Sequence, residues 1–133
     1  MSRIIIGLIF IVAACSPPEA VKYERYRVAG ERLYQQNCAN CHQMDGSGFQ
    51  KLYPPLSGTD WIIKNYEETF CVIKNGMNDT LVINGETYTL SMSATRLTNL
   101  EIAEIATFMY NSWGNEKGLI DVAEVEKILK NCD

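Results

Sequence analysis

The chain of 133 residues contains a single histidine, His42. That excludes two histidine ligands on one metal from within the chain, and no Ser/His/Asp set stands out for nucleophilic catalysis. Runs of Lys or Arg are also missing. The balance of 12 basic against 16 acidic residues leaves a net charge of −4, so nucleic acid is not an expected partner. No apolar run reaches membrane-spanning length, since the longest near the N-terminus is Ile4 to Val12. Internal repeats and low-complexity tracts are absent as well. What remains suits one domain with a modest core, of the size that often needs a cofactor or crosslink to hold it.

The first residues carry one charge, Arg3, then the apolar run, then small residues up to Cys15. This is a signal-peptide pattern. Val12-Ala13-Ala14-Cys15 resembles a bacterial lipobox, in which the cysteine is acylated and becomes the new N-terminus. The alternative is an ordinary signal peptide with Cys15 incidental. The expected organisation is therefore a lipoprotein signal peptide over 1–14, then a lipid-anchored tether with the start of the first helix over 15–27. A folded domain with a C-terminal extension follows over 28–133. Several acyl chains exceed the one-chain limit of marginal membrane binding, so the anchor should be stable.

Ser16 to Val21 holds two prolines and reads as an extended linker. Lys22 to Gln36 has helical spacing, interrupted by Gly30. A helix-interior glycine costs about 1 kcal/mol relative to Ala and usually has a packing reason. Asp45-Gly46-Ser47-Gly48 and Tyr53-Pro54-Pro55 are loop signals. Thr59 or Asp60 could cap a short helix at Trp61, and Glu67 to Asn75 reads as a helix ending at Gly76. Asn84-Gly85 centres a β-hairpin over Thr80 to Thr89. Thr98 and Glu101 form a capping box for a helix over Leu100 to Asn111, and Asp121 caps a last helix over Val122 to Asn131.

Cys38-Ala39-Asn40-Cys41-His42 is C-x-x-C-H, the attachment pattern of c-type haem. Two thiols at that spacing can add to the two vinyl groups of one haem, and the adjacent His42 can then ligate the iron. A zinc site would need four ligands, but Cys71 and Cys132 are isolated and no second histidine exists. A thioredoxin-like motif would need a βαβ context. A Cys38–Cys41 disulfide would leave His42 unexplained. One covalent haem c is the expected cofactor.

From Val28 to about Asn115 the sequence resembles the class I, monohaem cytochromes c. The likeness rests on Gly30 to His42, Asp45 to Gly58, Asn75-Gly76-Met77, and Leu97 to Asn115. The resemblance implies an all-α fold in which an N-terminal helix crosses a C-terminal one around the haem. The β-hairpin would be an insertion and the last helix an addition. It places Gly30 at that crossing, with Tyr34 and Phe108 beside it. It implies that the Pro54 carbonyl receives the His42 Nδ1–H, with Pro55 the adjacent candidate, and that Tyr53 and Met77 line the pocket or support it. Of the five methionines, Met1 is expected to leave with the signal peptide, Met44 lies too near His42 to reach the opposite haem face, and Met109 reads as core, which leaves Met77 and Met92. The resemblance favours Met92 as second axial ligand. Relatives commonly have Met-Pro at that place, whereas Ser93 follows here, so the loop lacks a φ constraint.

Cys71 and Cys132 remain, an even number for an oxidising compartment, and a disulfide between them is expected, with two free buried thiols the alternative. The reading is a one-electron carrier, not an enzyme, in an extracytoplasmic respiratory or dehydrogenase chain. Its redox partners would be a dehydrogenase or reductase and an oxidase or quinol complex. It would be tethered to the cell envelope, on the periplasmic side, through Cys15. If Met92 does not ligate, an open-site haem protein, peroxidase-like or sensing, is the alternative. Replacing Cys15 by Ala should move the protein from the membrane to the soluble fraction; retention after a salt wash would contradict the lipobox.

Overall fold

The computed structural model describes residues 17–132, so the signal segment and Cys15 lie outside the described residues. The chain forms six helices and one hairpin there: α1 (Pro18–Asn37), α2 (Ala39–His42), α3 (Trp61–Lys64), α4 (Tyr66–Asn75), β1 (Leu81–Ile83), β2 (Glu86–Tyr88), α5 (Asn99–Met109) and α6 (Val122–Leu129). The architecture is thus mostly helical with one small two-stranded sheet, as expected.

Helix α1 begins earlier than its sequence pattern indicates. Pro18 sits in its first turn, where the missing N–H costs nothing and the fixed φ is already helical. The stretch read as an extended linker is thus helical from Pro18 on. Lys22 pairs with Asp121, which also caps α6 by accepting the Ala123 N–H at 3.1 Å. This joins the start of α1 to the start of α6.

The main packing is α1 across α5. At the crossing, a Cβ on Gly30 would lie 1.9 Å from the Glu104 backbone oxygen and 3.0 Å from the Phe108 Cβ. The glycine is what lets the two backbones touch. Beside it Tyr34 packs on Phe108 at 5.3 Å and on Trp113 at 5.6 Å between ring centroids. Ile102, Ile105 and Ala106 of α5 are fully buried beneath them.

Helix α5 starts on the Thr98–Glu101 capping box, both halves formed. The hairpin turns at Asn84 and Gly85, with φ of 50° and 80°. Those positive values belong to the type I′ turn that joins two-residue hairpins. Its tip is held to the loop before α3 by Asn84 Nδ2 donating to the Gly58 carbonyl at 3.2 Å. Of the two candidate caps for α3, Thr59 accepts the Trp61 N–H at 3.1 Å, while Asp60 pairs with Lys64 at 2.6 Å.

Helix α4 is fastened to the C-terminal segment by a disulfide, Cys71–Cys132, with Cα atoms 5.5 Å apart. Tyr66 Oη adds a hydrogen bond to Glu124 of α6 at 2.7 Å. No described helix is long and apolar enough to cross a membrane.

Replacing Gly30 by Ala should force α1 and α5 apart. The expected loss is about 1–3 kcal/mol of unfolding free energy, typical of overpacking a tight contact, read from the midpoint of denaturant unfolding. An unchanged midpoint would mean that the crossing is not tight in solution.

Candidate functional site

The site begins where α1 ends. The Cys38 N–H still bonds back to the Tyr34 carbonyl at 2.8 Å, and the chain then turns into α2, which carries Cys41 and His42. The short helix puts both thiols and the imidazole on one compact turn. Cys38 and Cys41 are free thiols. Burial pushes the Cys38 thiol up to about 11, with the neighbouring Cys41 a smaller cause.

His42 is buried, and its Nδ1 lies 2.9 Å from the Pro54 carbonyl oxygen. A carbonyl can only accept, so Nδ1 carries the hydrogen and donates it. That leaves the Nε2 lone pair as the ligating position. Burial holds the imidazole below its usual pKa, opposed by the Pro54 bond, so the neutral, ligating form is favoured. The proline comes twelve residues after the histidine. It is brought back by the loop between them, in which the Gly48 N–H bonds the His42 carbonyl at 3.0 Å and the Leu56 N–H bonds the Gly46 carbonyl at 2.7 Å.

A cleft of about 420 Å³ opens beside this turn. Cys38, Cys41, His42, Tyr53, Pro54, Met77 and Met92 all line it. So do Trp61, Ile62, Ile73, Leu81, Ile83 and Tyr88, which the sequence did not single out. Their apolar character is ordinary core chemistry along the chain, and only the folded arrangement shows that they face a cavity. Met109 is buried in the core and also reaches the cleft. Cys71 and Cys132 are joined away from it.

Met77 and Met92 are direct partners in an isolated antiparallel bridge, each N–H donating to the other's carbonyl at 2.8 Å. Residues paired in this way send their side chains to one face. Both thioethers therefore stand on the same wall. The bridge needs Gly76, whose φ is +77° and where a Cβ would meet the Met92 carbonyl oxygen at 2.5 Å.

Among the described residues no cluster of three or more His, Cys, Asp or Glu could hold a metal ion, so the zinc reading has no ligand set. An apolar cleft in the usual range of about 300–1,000 Å³ for cofactors, with two free thiols, a neutral imidazole and thioether sulfur, fits a haem.

A family model described as cytochrome C oxidase, cbb3-type, subunit III, matches residues 28–109. The chain belongs to this cytochrome c family. As a monohaem class I cytochrome c its cofactor is a covalently bound haem c, and its chemistry is haem-mediated electron transfer. It is 31% identical over 93 residues to cytochrome c-552 of Thermus thermophilus, covering 66% of this chain and 70% of that one. It is 27% identical over 103 residues, 75% of this chain, to the cytochrome c subunit of a quinone-dependent alcohol dehydrogenase from Gluconobacter oxydans (strain 621H). The corresponding subunit of Komagataeibacter europaeus is 31% identical over 111 residues. The chain spans only 22% of the length of either dehydrogenase subunit.

Proposed function

We propose that the chain is a lipid-anchored one-electron carrier on the extracytoplasmic side of a bacterial membrane. In this reading Cys38 and Cys41 hold the haem by thioether bonds. His42 Nε2 and the Met92 sulfur would hold the iron, Tyr53 and Met77 would line the pocket, and Cys15 would carry the lipid. Residues 1–14 are the signal peptide, and the domain proper runs from 28 to 133. The observation that carries the reading is that one cleft is lined by both thiols, by His42 with its Nδ1 bonded to Pro54, and by the Met77–Met92 pair.

Bound there, haem c supplies a reversible Fe(II)/Fe(III) couple. The chain's part is to fix the ligands and exclude water. Pro54 orients the imidazole and makes it more basic. A thioether is a soft, neutral ligand, and Met/His ligation raises the reduction potential. If His42 and Met92 both held the iron, no position would be left there for a small substrate, which favours a carrier over an enzyme. Leu52 and Leu90 line the cleft while remaining about half exposed, 49% and 50%. The cleft therefore has an apolar rim facing solvent, where a partner could approach closely.

The relatives support a partner class for this reading. Two are named as cytochrome c subunits of alcohol dehydrogenases, and the family description is that of an oxidase subunit. A dehydrogenase as donor and an oxidase or quinol complex as acceptor fit both.

Intact-protein mass of the chain matured in a cytochrome-c-producing host should include one haem, and Cys38→Ala with Cys41→Ala should remove it; a wild type without that mass sinks the attachment. Replacing Met92 by Ala should lower the reduction potential, abolish the weak far-red Met–Fe(III) band and let carbon monoxide bind the reduced protein. Met77→Ala should keep the band. The reverse pattern would make Met77 the ligand, and a wild type that lacks the band and binds carbon monoxide would favour the open-site haem protein.

A further inference from the structure

The segment that presents Met92 has little to hold it from within. It is neither helix nor regular strand, and Ser93 places no ring constraint on the backbone after the methionine. Its restraint comes from the end of α4. The last carbonyls of a helix have no partner inside the helix. In α4 the Ile73 carbonyl is met from outside: Thr95 Oγ1 donates to it at 2.8 Å. One residue later, Lys74 folds back, half-buried, and its Nζ donates to the Leu97 carbonyl at 2.8 Å. Together with the two Met77–Met92 backbone bonds, these tie both ends of the stretch 92–97 to one helix terminus.

Lys74 is unusual for its type. A lysine in the last turn of a surface helix ordinarily keeps its ammonium in water, where it complements the helix dipole without cost. Here it spends that group on a loop carbonyl 23 positions away. Thr95 likewise directs its hydroxyl to a helix carbonyl rather than to solvent. Met92, at the bridge itself, lines the cleft, as do Ser93 and Thr95 between it and the second anchor.

We infer that Thr95 and Lys74 are positioning residues that clamp the Met92 loop onto the end of α4, and so keep the sulfur at the iron. The inference rests on Met92 being the axial ligand. The clamp works as a closed-state lock. Each bond lost raises the fraction of time the loop is lifted, without altering the α1–α5 crossing.

The test uses the full holoprotein and four variants: Thr95→Val, Thr95→Ser, Lys74→Met and Met92→Ala. Two quantities are read. One is the amide hydrogen exchange of Met77 and Met92, which reports loop opening through the backbone. The other is the affinity for added imidazole, which enters only when the sulfur is displaced. Thr95→Val and Lys74→Met should each raise both by about fivefold to tenfold, as expected for one lost hydrogen bond. Thr95→Ser, which keeps the hydroxyl, should stay close to wild type, and the buried Ile105 amide should exchange at its usual rate in all of them. If neither Thr95→Val nor Lys74→Met changes either quantity, the clamp is refuted. If Ile105 accelerates in step with Met92, the residues serve global stability and the positioning role is likewise refuted. A Met92→Ala protein that keeps its far-red band refutes the axial reading instead, and the amide exchange still decides the clamp.

Discussion

The contact on which the rest depends is backbone against backbone, Gly30 of α1 on the Glu104 carbonyl of α5. It sets how deeply the two helices interlock. From it follow the burial of Tyr34 against Phe108 and Trp113 and the position of the turn that ends α1. Because Cys38, Cys41 and His42 begin within one turn of that helix end, the crossing also fixes where these three cleft residues stand. A side chain as small as a methyl at position 30 would be transmitted to the cleft.

The other walls of the cleft are made of irregular chain, and such chain must find partners for its backbone groups. The loop from Gln43 to Gly58 does so by bonding to itself and to α2, which delivers the Pro54 carbonyl to His42. The segment around Met92 does so by borrowing from α4. Helix α4 is in turn fastened by the Cys71–Cys132 disulfide and by Tyr66 to the C-terminal region. The C-terminal addition is therefore part of the support behind the Met92 side of the cleft. A domain of this size has little core to spare, and crosslinks of this kind compensate.

Local signals survive folding where the chemistry is local. The Thr98–Glu101 box, the Asp121 cap, the Asn84-Gly85 turn and the helix ending at Gly76 all stand where their sequence signatures put them. Each is decided by a few adjacent residues. The start at Pro18 departs from the expectation: two prolines suggest an extended tether, yet a proline in the first turn is also a good helix start. Which reading holds depends on what the fold offers to α1: it packs across α5 at Gly30, and Lys22 pairs with Asp121 at the start of α6.

The sequence by itself determined the cofactor chemistry, because C-x-x-C-H packs two thiols and an imidazole into five consecutive positions, and no distant residue is needed to recognise it. It also marked Gly30 as a break in a helical pattern that wants a packing reason, which the close approach to the Glu104 backbone then supplied. Only the tertiary structure decided which apolar residues line the cleft, and that Met77 and Met92 stand side by side. It alone showed that Thr95 and Lys74 reach across to carbonyls far along the chain. The physical reason is separation. A motif within one helical turn is set by covalent geometry, whereas a contact between positions 73 and 95 exists only after the α1–α5 crossing and the disulfide-braced α4 have brought the two segments together.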